Sequence, residues 1–351
     1  MSVARRVLFF MLLSAHGLAD EAQALADRAH RQWIAHPSAY HITLGEPRLV
    51  DTHLGLSLKA PSLTAMWWEF FAAKAPNLDG QQCLQASLVP AGRITRDGTR
   101  EMLTAKIASS STTRSQFEVS ITHQLALRSR RLEPGVGSDP IVPLLPAMRS
   151  FALDATELID WTSADFQVWL DNHQLRPLPD ESDMMLARRA YVMIRSTFHY
   201  AYGKTMDRVA SHVATTDASD CGGLCLLYSA ILRANGIPAR VLAGRWATSA
   251  TPDDRLNGLP YAQWHVQMEF YANGVGWVPC DVSRDLEQPE LWFGRSDGDF
   301  IALHFDPDLH VDTQFGGKTQ TWLQGVAFWV RGDGSLDDMT TTETWTVEPH
   351  N

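Results

Sequence analysis

Positive charge is in short supply in this sequence. Thirty Lys and Arg stand against forty Asp and Glu, giving a formal net charge of −10 over 351 residues. No basic cluster offsets this locally, so neither nucleic acid nor an anionic membrane surface is an expected partner. Long apolar runs are missing as well. Nothing beyond the N-terminal twenty or so residues approaches the roughly 18 consecutive apolar residues of a membrane span. Cysteine is scarce: Cys83, Cys221, Cys225 and Cys280 are the only four. Cys221 and Cys225 have the wrong interval for a two-residue-spaced redox or zinc pair, and no second Cys/His pair accompanies them. No metal and no cofactor is therefore expected. The acidic pairs Asp253-Asp254 and Asp297 with Asp299 lack the oxygen-ligand loop pattern of a calcium site and read as solvated loop charges. Repeats and low-complexity segments are absent.

What remains is a globular composition, 45% hydrophobic and 20% charged, long enough for one large or two ordinary domains. The twelve tryptophans are scattered and read as core. The start, "MSVARRVLFFMLLSAHGLAD", has the form of a secretory signal over residues 1–19. Arg5 and Arg6 precede an apolar Val7–Leu13 run, and Gly17-Leu18-Ala19 offers small residues for cleavage. The same residues also read as an amphipathic N-terminal helix, so export to the periplasm and a cytoplasmic location stay open.

From 20 to 145 the pattern is β-rich. "QFEVSITHQLALR" alternates through Phe117, Val119 and Ile121 as a half-buried strand does, Asp97-Gly98 marks a hairpin, and "MWWEFF" reads as a strand buried on both faces. A Pro- and Gly-rich linker follows, and then helices: Asp183 is expected to cap a helix presenting Met185, Leu186, Met193, Ile194 and Thr197. Strands return in "ARVLAGRW", "HVQMEFY" and "GWVPCDV". Residues 146–310 thus read as a core and 311–351 as a C-terminal β extension. Helices followed by strands, without βαβ alternation, give an α+β class with an antiparallel sheet.

The chemistry concentrates in "ASDCGGLCLLYSAILRANGIPAR". Leu224, Leu227, Tyr228, Ile231 and Leu232 share a helical stripe, Ser219 or Asp220 can cap its start, and Gly236 and Pro238 end it. Cys221 then falls in the first turn, where unpaired N–H groups and the macrodipole favour an anion. Gly222 and Gly223 bare the backbone beside the sulfur, whereas Cys225 reads as packing. A thiol nucleophile needs a base, and the base an orienting group. His265 opens a strand, and Asp281 ends the next one after an Asn273-Gly274 turn, so a hairpin brings them together. Alternation places Gln267 and Glu269 on the His265 face and Cys280 opposite to Asp281.

These segments resemble the transglutaminase-like superfamily. They share a Cys opening a helix, the "RANGIPAR" exit, a His beginning a strand and "GWVPCD", with "LWFG" and "GDFIALHFDPDL" trailing. The likeness covers roughly 183–310, and the β-rich half is similar to the domain that precedes this core in many bacterial members. The resemblance implies a papain-like fold in which a nucleophile helix packs on an antiparallel sheet. It implies Cys221 as nucleophile, His265 as acid/base and Asp281 as the residue that fixes the imidazole. Two features depart from it. Val266, not an aromatic residue, follows His265, with Trp264 before it. No tryptophan lies between Trp169 and Trp246 to serve as oxyanion donor, which leaves the Cys221 N–H with Tyr200 or Tyr202.

The expected reaction is acyl transfer through a Cys thioester on a peptide or protein substrate, a cell-wall peptide included. Hydrolysis by a protease or amidase is favoured. A cross-linking transglutaminase with an amine acceptor, and a non-catalytic binding or scaffold protein reusing the fold, are the alternatives. The Thr248–Tyr261 loop is placed to border the cleft.

Overall fold

The structure is a computed structural model. It describes residues 40–350 apart from 109–115, 136, 138–140, 142, 204, 251–254, 257–258, 261–262 and 288–290. The candidate signal segment lies outside the described residues.

Eight strands come first: β1 (Tyr40–Leu44), β2 (Arg48–Lys59), β3 (Leu63–Ala73), β4 (Gln81–Val89), β5 (Arg93–Asp97), β6 (Arg100–Ala108), β7 (Gln116–Leu127) and β8 (Arg130–Pro134). In β2 and β7, buried and exposed residues alternate, as a strand with one face on a core requires. The β5–β6 hairpin turns at Gly98, whose φ of +58° suits glycine. "MWWEFF" is buried on both faces only from Phe70 onward. Before it, Trp68 points into the core, Met66 is 52% exposed and Trp67 is half-buried under the Phe315 ring.

Helices Pro146–Phe151, Ala164–Asn172 and Asp183–Thr197 follow. Ser182, not Asp183, caps the third: its extended backbone lets Oγ accept from the Met185 N–H at 3.3 Å. Its buried face is Met184, Leu186, Ala187, Arg188, Ala190, Tyr191 and Ile194. The inward stripe is thus rotated from Met185 and Met193, with Thr197 exposed, because small Ala and a hydrogen-bonded Tyr pack closer than flexible Met. Then come β9 (His199–Tyr200), a short turn of helix at Ala210–Val213, β10 (Ala218–Ser219) and the helix Cys221–Ala234. Twelve of that helix's fourteen residues are buried. Each buried Leu or Ile contributes about 1.5–3 kcal/mol relative to exposure.

The helix packs on an antiparallel sheet ordered β15-β14-β11-β17. These strands are β11 (Ala239–Trp246), β14 (Trp264–Ala272), β15 (Gly276–Cys280) and β17 (Phe300–Phe305), with the two-residue pair β12 (Arg255–Leu256) and β13 (Leu259–Pro260) inside the Thr248–Tyr261 loop and β16 (Arg295–Ser296) after the sheet's hairpin. At its start Ala250 bridges to Trp345, and residues 251–254, 257–258 and 261 of that loop lie outside the described residues. The class is α+β. Among the described residues no helix is long and apolar enough to cross a membrane.

The chain ends in β18 (Leu309–Thr313), β19 (Gly316–Gln320), β20 (Val326–Gly334) and β21 (Thr340–Pro349). The last two complete the N-terminal sandwich: one sheet runs β21-β2-β7-β4 and the other β20-β3-β6-β5. Val326–Gly334 and Thr340–Pro349 therefore share the sandwich's sheets, while β18 and β19 pair only with each other. Gln81 joins the two halves, its amide both donating to and accepting from the backbone of Ala302 at 2.9 Å.

Candidate active site

Cys221 is the first residue of its helix and is half-buried. Asp220 caps it, Oδ1 accepting from the Gly223 N–H at 3.1 Å. The same carboxylate is gripped by Arg208, with Nε 3.0 Å from both oxygens and Nη2 2.5 Å from Oδ2. Arg208 also donates to the carbonyls of Gly203 and Met206. The negative charge beside the thiol is thus neutralised by an arginine and a helix N-terminus together. The two glycines serve this arrangement rather than baring the backbone. A Cβ at Gly223 would sit 2.1 Å from Ser219 Oγ, and one at Gly222 3.1 Å from Arg208 Cδ.

His265 is the second residue of β14, and Asp281 follows β15 directly. The register pairs Met268 with Cys280, so Asp281 reaches His265 diagonally across the hairpin, which turns at Gly274 with φ +78°. The imidazole Nε2 lies 2.7 Å from Asp281 Oδ2. Oδ1 of the same carboxylate accepts from the Ser283 hydroxyl at 2.9 Å and the Arg284 N–H at 3.0 Å, capping the short helix Val282–Glu287. One carboxylate thereby both orients the imidazole and starts a helix. The Cys221 side chain lies within hydrogen-bonding reach of the His265 ring.

Electrostatics follow from this geometry. Burial opposes charge on His265, but the Asp281 carboxylate, and after it Cys221, overcome that and push the ring up to about 10. Burial pushes the Asp281 carboxyl up, yet His265 and the two Oδ1 donors hold it below the ordinary range. The Asp281 carboxylate thus favours the charged form of the ring.

The indole of Trp246 stacks on His265, and Phe300 meets the ring edge-on at 5.8 Å. The guanidinium of Arg284 lies 4.9 Å from the Trp246 centroid and 3.6 Å from that of Trp292, and it pairs with Asp299 at 2.9 Å. Trp246, Arg208 and Arg284 were not among the sequence candidates. The register Gly244–His265 places Trp246 on the His265 face by alternation, which is the signal that finds it.

Cys225 is buried with Sγ donating to the Val266 carbonyl at 3.4 Å, and burial pushes its thiol well up. Cys280 points into the core, away from the Asp281 side chain. All four cysteines are free thiols. Gln267 and Glu269 are buried, and Glu269 holds Arg130 at 2.7 Å and Arg240 at 2.6 Å, an ion cluster tying β8 to the core sheet. Tyr200 sits in β9, paired with Ser219 just before the nucleophile helix, and Tyr202 lies within electrostatic reach of Arg208. Trp264 is 48% exposed and faces Arg245 on the other side of the sheet. Asp297 is held by Arg295 and Arg131; Asp253 and Asp254 lie outside the described residues. Among the described residues no three His, Cys, Asp or Glu side chains converge as a metal site needs.

Residues 173–282 match the sequence model of the transglutaminase-like superfamily. In fold the chain is similar to a candidate cysteine protease from Cytophaga hutchinsonii, with a TM-score of 0.50 at 14% identity over 88% of this chain and 100% of that one. Similarity extends to the periplasmic domain of TgpA from Pseudomonas aeruginosa, at 13% identity and a TM-score of 0.37, over 70% of this chain and 93% of that one. No curated protein sequence matches the chain. The segment that matches the transglutaminase-like superfamily is thus the one that holds the Cys221 helix and the His265–Asp281 hairpin.

Proposed function

We propose that this protein is a cysteine-dependent acyl-transfer enzyme acting on a peptide or amide bond, with Cys221 as nucleophile, His265 as acid/base and Asp281 as the residue that orients and charges the imidazole. One observation carries the reading: the His265 ring is hydrogen-bonded to Asp281 at 2.7 Å and lies within hydrogen-bonding reach of Cys221.

The Cys221 sulfur attacks the amide carbonyl carbon, a C–S bond forms and the carbonyl electrons move to oxygen. That oxyanion develops at the N-terminus of the Cys221–Ala234 helix, where first-turn N–H groups stabilise it. Tyr200 or Tyr202 is the side-chain candidate to assist. The oxyanion collapses, the C–N bond breaks, and the leaving nitrogen takes the His265 proton. A thioester remains on Cys221. His265, now neutral, removes a proton from the acceptor as it attacks the thioester carbonyl, and the sulfur leaves.

Water is the favoured acceptor, which makes the enzyme a protease or amidase, because excluding it requires an enclosed amine-selective channel that no motif of the chain specifies. Mass spectrometry after incubation with a glutamine-containing peptide library and excess primary amine tests this. Hydrolysed peptides and a transient acyl adduct on Cys221 are expected. Amine-incorporated product would reassign the acceptor, and no adduct on Cys221 under any condition would sink the reading.

A further inference from the structure

Gln324 lies outside the superfamily segment, on the stretch between β19 and β20 that returns the chain to the sandwich. The two residues before it face different cores: Trp322 packs against the helical core, while Leu323 is buried in the sandwich core. Gln324 itself reaches the catalytic sheet. Its Nε2 donates to the Gly244 carbonyl at 2.7 Å and to the His265 carbonyl at 2.9 Å. Those two residues are paired in the β11–β14 ladder. The β11–β17 register shifts between Ala243 and Gly244, an irregularity of the kind that re-aims local backbone groups.

The contacts around it repeat the pattern. The Gln324 carbonyl accepts from Arg245 Nε at 2.7 Å, and fully buried Arg245 pairs with Glu343 of β21. Trp345 of β21 donates Nε1–H to the Trp246 carbonyl at 3.1 Å. Gly325 leaves room for this, since a Cβ there would lie 2.6 Å from Glu343 Oε2. Residues 244, 245, 246 and 265, which include the imidazole and the indole stacked on it, are therefore all held by the return segment and β21.

We propose that Gln324 is a positioning residue for His265. By tying the carbonyls of two neighbouring strands to one carboxamide, it fixes the imidazole between Cys221 and Asp281, and it makes the sandwich's return segment part of the active-site framework. A carboxamide suits this because its NH2 offers one N–H to each carbonyl, whereas a carboxylate offers none. The inference deepens the acyl-transfer reading and rests on it for its catalytic meaning, but not for its geometry.

The test is the titration of the His265 ring by NMR in the full chain, its resonance assigned by its loss in His265→Gln. Gln324→Met keeps length without donors. Its His265 midpoint is expected to fall by at least about one pH unit, a tenfold weaker hold on the proton, with Cys221 alkylation slowed in parallel. Gln324→Asn retains both donors one methylene short, is expected to fold in any case, and should show a smaller shift in the same direction. A lowered melting temperature with the His265 midpoint unmoved in both variants would reduce Gln324 to a structural residue and overturn the proposal. Slow alkylation of Cys221 in the wild-type chain would count against the acyl-transfer reading instead, while the midpoint still decides the role of Gln324.

Discussion

The Trp246 indole covers the His265 imidazole, with ring centroids 4.2 Å apart and planes 19° from parallel. The stack keeps water off the His265–Asp281 hydrogen bond, and in such a low-dielectric setting the pair's attraction is stronger than in water. A stack of this kind is worth about 0.5–1.5 kcal/mol beyond its buried area. Trp246→Ala is expected to slow Cys221 alkylation at pH 7 by up to about tenfold, while Trp246→Phe retains most of the rate. Mass-resolved labelling kinetics check both.

Removing the carboxylate that charges the imidazole has a pH signature. The folded-state pKa of His265 is raised from 6.5 to about 10, so the stability it contributes is fully present below pH 6.5 and is lost as pH rises through about 10. Asp281, held low by the same pair, contributes above about pH 4 and loses its share as pH falls further. Asp281→Asn should therefore cost most between about pH 4 and 6.5, on the order of 3–5 kcal/mol for a broken buried pair. The deficit should shrink toward pH 10. Urea unfolding at several pH values measures it.

Arg208 is expected to matter for the nucleophile helix although it is remote in sequence from the motif. Arg208→Ala leaves the Asp220 carboxylate, 2% exposed, without its cation, a loss of about 3–5 kcal/mol. Arg208→Lys recovers only part of it, because a single ammonium cannot reproduce the two-oxygen grip. Denaturation midpoints of the two variants give the comparison.

Acid should weaken the fold through two histidines that the site does not use. Burial pushes His123 and His304 down to about 4. His304 donates from Nδ1 to the Asp306 carbonyl at 3.0 Å and accepts the Leu323 N–H on Nε2 at 3.0 Å, so a second proton would set two donors against each other. The unfolded chain takes up protons near pH 6.5 and the folded chain only near 4. Stability therefore falls as pH drops across that interval, by roughly 3 kcal/mol per histidine. His304→Asn should flatten the slope, as read from pH-dependent unfolding curves.

How far the sequence discloses this site depends on how local each signal is. Cys221 is legible because a cap, an apolar stripe and Gly-Ile-Pro delimit one helix. His265 and Asp281 are legible because one hairpin turn separates their strands. The Asp220–Arg208 grip is not, because the intervening chain folds back through a short helical turn and two bridging residues of strand. Gln324 is further still: it meets His265 only once the sandwich has closed on the core. The buried face of Asp183–Thr197 is hard to read because adjacent methionines blur the helical period. The burial of β3 is hard to read because a run of aromatic residues does not say which side is covered.

The role of Cys221 as a nucleophile served by His265 is tested most directly by site-resolved iodoacetamide labelling between pH 6 and 7. Cys221 should be modified far faster than half-buried Cys83, and His265→Ala should slow it by about a hundredfold or more. Equal labelling of Cys221 and Cys83, unchanged by His265→Ala, would contradict the claim and leave the core as a binding module built on an inert sulfur.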